Sequence, residues 1–447
     1  MVFPASLRCC YFFHSAVAAW FRLWNDSTMH KMLLIIRTFP ASILRLFSAQ
    51  ALLGIGTGVF SVLLNLYLRE IGYSEEMIGR LLAAQSLCAA VMSIPMGWLA
   101  DRASRRTTYL LGVLLLGTGY SVLGLTRSLY PLFAAAFLAG TGSGAMMVSV
   151  LPYLQENGRH RQRKYIFSVN VTLMWITSVF AGFIAGWLPK IFKLLNPESA
   201  ASDADRLQYS LWVGIIFIFF ALIPSFGMAG KAEYANEKKE PHRDNPDKKP
   251  LETPWLLIGR FAFCNALIGF GAGMIVPYFN LYFRDWVGSS IPQIGFVFAL
   301  GQFGTALGSI LSPAIAGRFG LIRGVVYSQL CSLPFMALMA WRHEFWVCAV
   351  CFVFRGAFMN MCVPMRQETM MEIIPAELRS RASAVDSMSW NLTWAFAMFF
   401  SGGVIKNWGY DVSLLIAFAC YLASALSYRH MFNSWKHLSR NPRRARH

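Results

Sequence analysis

The chain has 447 residues, of which 56% are hydrophobic and only 14% charged, with a formal net charge of +18. A soluble domain of that size covers its surface with roughly 25% charged residues, so a water-soluble globule is excluded. The basic excess falls where membrane topology requires it, as set out below, and no nucleic-acid partner is expected.

Residues 1–42 form an N-terminal extension. Its apolar run CCYFFHSAVAAWF (9–21) is too short to span a bilayer. A cleaved signal ahead of a bundle whose N-terminus stays inside would be topologically inconsistent. The segment reads as an interfacial or disordered extension, with Met29 and Met32 as alternative starts. Twelve apolar blocks follow, at about 45–68, 77–99, 107–126, 130–152, 165–188, 209–229, 256–281, 291–316, 322–341, 345–366, 383–404 and 410–431. Each has the roughly twenty residues that carry a helix across about 30 Å of hydrocarbon, and no strand-type alternation points to a β-barrel. Residues 231–254 are the one long polar run, a flexible linker, and 433–447 form a basic tail. The expected fold is an all-α membrane protein of twelve transmembrane helices, in bundles over 43–230 and 255–432.

Lysine and arginine set the orientation. Loops on one side, with the tail from Arg429, carry 24 of them against 9 on the other, which places both termini in the cytoplasm and accounts for most of the net charge. The basic loops also suit anionic lipid.

The stretch GIGTGVFSVLLNLYLRE at 54–70 returns as GFGAGMIVPYFNLYFRD at 269–285. At an offset near 215, Gln50 corresponds to Asn265, Gly79 to Gly295, Arg102 to Arg318 and Gly140 to Gly356. Six helices per period is an even number, so the halves are two parallel six-helix repeats related by an axis along the membrane normal.

Residues 97–106, GWLADRASRR, resemble the loop between helices 2 and 3 that marks the major facilitator superfamily. Gly97, Asp101, Arg102, Arg105 and Arg106 match the pattern, and Ser104 stands at a position usually held by glycine. The second copy, SPAIAGRFG at 312–320, keeps Arg318 and has Gly317 where the acid would be. The resemblance covers about residues 43–432. It implies a central cavity lined by helices 1, 4, 7 and 10, and a gating loop in which Asp101 meets the start of helix 11 near Arg381–Asp386. There an anion at a helix N-terminus is stabilised by about 0.3–1 kcal/mol. Arg102 and Arg106 are expected to pair with Glu156, making a latch that holds only when the cytoplasmic side is closed. The competing reading is a purely topogenic basic loop.

Gly54, Gly56 and Gly58, with Gly269, Gly271 and Gly273, do not fit a dinucleotide fingerprint, which needs a strand before it and different spacing. Inside a membrane helix they read as packing or hinge residues. No acid or histidine occupies the middle of a predicted helix, whereas Arg355 lies about ten residues from either end of helix 10. An ionisable group at that depth is a functional candidate. With Arg355, the candidate substrate cavity comprises Gln50, Asn65, Asn265, Asn280, Gln302 and Asn360, each of which also suits helix-to-helix bonding. Gln85, Asn170 and Asn391 are further polar groups of this kind. The pairs Arg69/Glu70 and Arg284/Asp285 read as interfacial anchors ahead of an outer gate. Cys348 and Cys351 read as packing residues, since C-A-V-C has no second pair.

These residues point to a secondary active or facilitative transporter moving a small solute by alternating access, with an anionic or zwitterionic substrate as the sharper expectation. The alternatives are a drug-efflux or lipid/amphiphile transporter and, more distantly, a non-transporting receptor. Against efflux, AGFIAG at 181–186 lacks the proline of the family's efflux signature. No enzyme activity, cofactor or metal is expected. The expected partners are the bilayer, the solute and a coupling ion (a proton or counter-substrate). The protein is expected to be a monomer in a plasma or bacterial inner membrane.

Overall fold

The structure is a computed structural model that describes residues 38–159, 162–195, 202–230, 254–375 and 378–432. The linker (bar residue 254), the basic tail and the extension up to residue 37 lie outside these. Backbone amides and carbonyls find no water in hydrocarbon, so a spanning chain satisfies them within helices, and no strand occurs among the described residues.

The N-terminal half contains α1 (Ala41–Glu70), α2 (Glu75–Arg102), α3 (Arg105–Leu125), α4 (Leu129–Asn157), α5 (Arg163–Leu195) and α6 (Asp203–Phe220, with a further turn Leu222–Phe226). The C-terminal half begins with α7, which runs as α-helix over Pro254–Ile275. It tightens to a 3₁₀ turn at Val276–Tyr278 and ends in a π segment, Tyr282–Trp286. Then come α8 (Ile291–Phe319), α9 (Leu321–Trp341) and α10 (Phe345–Ile373). The run Arg379–Met431 is broken at Gly409, whose φ of 89° is open to glycine, into α11 (379–408) and α12 (410–431). The helices outrun several predicted blocks: α10 continues to Ile373, seven residues past the block that ended at 366. Large apolar side chains such as Ile94, Trp98, Trp341 and Trp346 cover the outside, where lipid takes the place of water.

The two halves are built alike. In each, the first helix packs on the fifth and sixth, and the fourth on the second and third. A Cβ on Gly54 would strike Thr177 and one on Gly58 would strike Ala181; on Gly269 and Gly273 it would strike Thr393 and Ala397, their counterparts. Gly56 and Gly271 lie in the same way against α6 and α12. All six glycines are therefore close-approach positions, which explains why they recur. Between the halves, α2 packs on α11 and α5 on α8. Gly182 and Gly186, from AGFIAG, lie directly on Gly295 of α8.

We call the end carrying residues 102–105, 157–159, 373–375 and 378–379 the basic face. The other end, carrying residues 70–75 and 286–291, is the opposite face.

Candidate functional site

At the opposite face the repeated stretch closes on itself. Asn65 Nδ2 donates to the Pro277 carbonyl (2.6 Å) and Asn280 Nδ2 to the Val62 carbonyl (2.9 Å). Asn65 also donates to Asn280 Oδ1 (3.2 Å). Val62 and Pro277 are themselves equivalent positions, so each bond is the image of the other across the pseudo-two-fold axis, as in an isologous interface. Pro277 removes an N–H and disturbs the helix around it, and the 3₁₀-to-π passage leaves its carbonyl open to the other half. One turn on, the charges cross in the same manner. Arg284 pairs with Glu70, and Arg69 lies 3.0 Å from Glu75 and 3.8 Å from Asp285. Tyr278 hydroxyl donates to the Glu75 carbonyl (3.4 Å), and Gly79 leaves room for that ring. The expectation that these charges are interfacial anchors is corrected: they join the halves. Asn65 and Asn280, 4% and 1% exposed, are likewise corrected from cavity residues to members of this clasp.

Deeper in, a cavity of about 480 Å³ lies against α7, α10, α11 and α12, with Met147 of α4 as the contribution of the N-terminal half. Arg355 is on its wall. The side chain is 6% exposed, and its Nε and Nη1 are buried without a hydrogen-bond partner among the described residues. Its guanidinium rests over the Phe279 ring, 4.8 Å from the centroid, a cation–π contact that fixes one face of the group and leaves its N–H edge. Asn265 and Asn360 are on the same wall. Asn265 donates to the Asp386 carbonyl (2.9 Å) and Asn360 to the Gly356 carbonyl (2.9 Å). Gln50 and Gln302 are not on this wall; Gln50 leaves Oε1 buried without a partner among the described residues. Towards the basic face the wall ends at Gln367 and Ser387, both exposed.

Sequence reasoning missed two features of this wall. Arg366, the last residue of the tenth predicted block, lies a full two turns inside the end of α10 and pairs with Asp386 of α11 at 2.7 Å, both side chains 9% exposed. Asp386 is thus a buried acid one helical layer from the cavity's arginine, seven residues into α11. The second is an aromatic pair, Trp390 and Trp394, parallel within 22° and 5.6 Å apart. The i, i+4 spacing of two tryptophans on a polar stretch was the available signal for that pair.

The gating loop also differs from expectation. Asp101, 67% exposed, pairs with Arg105 of its own loop at 2.5 Å rather than with the start of α11. Arg105, not Arg102 or Arg106, reaches Glu156 (3.3 Å). Arg102 stacks on Trp98, 3.8 Å from the ring centroid, and Arg106 donates to the Phe226 carbonyl (2.5 Å). The cause is local. Ser104 caps α3 by accepting from the Thr107 amide (3.0 Å), so α3 starts at once and Arg105 falls one turn after Asp101. Ser104 has an extended backbone at φ −177°, whereas Gly320, its counterpart, holds φ 81°. A Cβ on Gly97 would meet open space.

Two parallel six-helix halves, closed at one face and beside a cavity with a buried arginine, define an all-helical membrane protein of the two-repeat type. The family model described as Major Facilitator Superfamily matches residues 46–260 and 261–445, and the chain belongs to that family. The chain is 28% identical over 147 residues to the niacin transporter NiaP of Acinetobacter baylyi, covering 32% of this chain and 33% of that one. It is 31% identical over 106 residues to mouse facilitated glucose transporter member 8, covering 24% and 22%. These matches thus span a third or less of either relative. A probable sulfoacetate transporter, SauU, of Cupriavidus necator is 22% identical over 304 residues, 64% of this chain and 68% of its own. Among solved structures, a bacterial homolog of the human lysosomal transporter Spinster, inward-facing and unoccupied, superposes with TM-score 0.71 at 16% identity, covering 90% and 98%. Nucleoside transporter NupG superposes at 0.69 and 12%, covering 88% and 99%. Both show the fold.

Proposed function

We propose that the protein carries a small organic anion or zwitterion across its membrane by alternating access, with Arg355 as the fixed cation of the binding site. The observation that carries this is a buried guanidinium on a cavity wall whose Nε and Nη1 have no hydrogen-bond partner among the described residues. A bare charge at that depth costs at least ~2.5–3.5 kcal/mol on insertion scales. Arginine cannot escape by losing its proton, so an anion from outside the protein is the natural counter-charge. The niacin and sulfoacetate named for two relatives are organic acids. Closure at the opposite face, with Gln367 and Ser387 exposed at the other end of the wall, corresponds to a state open to the basic face. The excess of Lys and Arg assigns that face to the cytoplasm. The crossed clasp then acts as the outer gate. A proton or a counter-substrate would supply the coupling.

The test is uptake and counterflow of labelled organic acids in proteoliposomes. Arg355→Gln should abolish transport of an acid that the native protein carries, and Arg355→Lys should weaken it through loss of the bidentate fork. Unchanged affinity in both variants, or a cation as the transported solute, would remove Arg355 from the site.

A second reading, amphiphile transport, is favoured by one observation. A groove of about 590 Å³ between α5 and α8 is lined mostly by apolar side chains, among them Trp175, Ile176, Phe303 and Ile310. Transport of long-chain acids that is lost on narrowing this groove would favour it over the first.

A further inference from the structure

Resting on the reading of Arg355 as an anion site, we infer that the solute is a planar aromatic acid, held with its carboxylate on Arg355 and its ring against the indoles of Trp390 and Trp394. Four features of the cavity lead there. First, the two indoles are on the cavity wall, one helical turn apart and parallel within 22°. Stacked on one another with centroids 5.6 Å apart, they form a short aromatic strip among the wall's polar groups, Asn265, Asn360 and Asn391 included. Flat rings gain about 0.5–1.5 kcal/mol per aromatic pair beyond the area they bury.

Second, the strip is held in place. The backbone of Trp390 lies on Gly269 and that of Trp394 on Gly273, so α11 approaches α7 at the two glycines and presents the indoles beside Arg355. Third, Phe279 covers one face of the Arg355 guanidinium and Tyr421 flanks it in the same cavity. Tyr421 also hydrogen-bonds the guanidinium, which leaves Nε and Nη1 as the nitrogens without a partner among the described residues for a carboxylate to engage. Fourth, a cavity of about 480 Å³ is within the range of sites for small ligands.

The strip belongs to one half. The positions equivalent to Trp390 and Trp394 at offset 216 are Met174 and Ser178, and the position equivalent to Arg355 is Ala139. Charge and ring surface therefore come from the C-terminal half together, and the N-terminal half supplies a small, apolar opposing wall through Met147. A solute with one charged end and one flat end matches that arrangement, and a neutral or two-fold symmetric one does not.

The experiment is a binding measurement, by calorimetry or thermal shift, on the purified full chain in lipid nanodiscs. The probes are benzoate, cyclohexanecarboxylate, glucuronate and benzamide. Benzoate should bind at least tenfold more tightly than cyclohexanecarboxylate, which has the same charge and nearly the same volume but no flat face. Trp394→Leu should weaken benzoate more than cyclohexanecarboxylate and so cut the preference to threefold or less, and Trp394→Phe should restore most of it. Equal affinity for the two acids, or tighter binding of glucuronate, overturns the aromatic inference and leaves the anion reading standing. Benzamide binding as tightly as benzoate, with Arg355→Gln without effect, overturns both. Failure of benzoate to bind at millimolar concentration, while glucuronate binds in an Arg355-dependent manner, overturns the aromatic inference alone.

Discussion

The two halves of this molecule agree at the opposite face and disagree in the middle. At the face, Asn65 matches Asn280, Arg69 matches Arg284 and Glu70 matches Asp285; across the axis Asn65 bonds Asn280, Arg69 meets Asp285 and Arg284 meets Glu70. In the middle, Ala139, Val150, Asn170, Met174 and Ser178 of the first half stand where the second has Arg355, Arg366, Asp386, Trp390 and Trp394. The difference has a physical reason. A surface that closes on its own image is self-complementary when both copies carry the same donors and acceptors, so the clasp keeps the repeat. A solute without two-fold symmetry gains nothing from a repeated site, so the middle is free to place its charge in one half. The opposite face keeps the symmetry of the duplicated chain, and the cavity departs from it.

The sharpest way to break this comparison is at the buried ion pair of the charged half. Asp386→Asn leaves Arg366 buried without its counter-charge, and removal of one partner from such a pair costs about 3–5 kcal/mol. Asn170→Ala, the equivalent change in the other half, removes no charge partner and should cost about 1 kcal/mol. Thermal unfolding of both variants in one detergent gives the difference directly. Equal losses would mean that the middle is symmetric in energy though not in sequence.

The clasp should respond symmetrically. Asn65→Leu and Asn280→Leu each remove a donor to the other half and leave its carbonyl unpaired, at about 1–3 kcal/mol. Both should shift the protein towards opening of the opposite face by a similar amount. Spin-label distances across that face, measured on the two variants, would report the shift. A change in one variant alone would show that the repeated asparagines are not functional images of each other.

The smallest effect belongs to the crossed charges. Arg69 and Arg284 side chains are 41% and 25% exposed, and exposed pairs contribute about 0.2–1 kcal/mol, less in salt. Arg284→Ala should therefore move the same spin-label distribution only slightly, and 0.5 M salt should reproduce most of that movement in the native protein. A larger shift than that of Asn280→Leu would make the charges, not the amides, the main closure of this face.

Much of this architecture was legible along the chain, because hydropathy over twenty residues, loop charge and a repeat at fixed offset are one-dimensional signals. The twelve helices, the parallel halves and the recurring glycines all belong to this group, and so does the exceptional position of Arg355. Partners between helices were not legible. They depend on how each helix is rotated about its axis and where its neighbour ends, and a single residue of cap or loop changes both. Ser104 illustrates this: by capping α3 it turns Arg105 towards Asp101 and Glu156, and the expected latch partners fall elsewhere. The tenth predicted block ends at Arg366 because hydropathy fades before the helix does; only packing against α11 gives that arginine Asp386. The sequence by itself determined that two equivalent halves would span the membrane with one deep arginine. Tertiary structure decided that Asn65 meets Asn280, and that Trp390 and Trp394 share a wall with Arg355, because side chains far apart in the chain become neighbours only when the facing sides of packed helices are fixed.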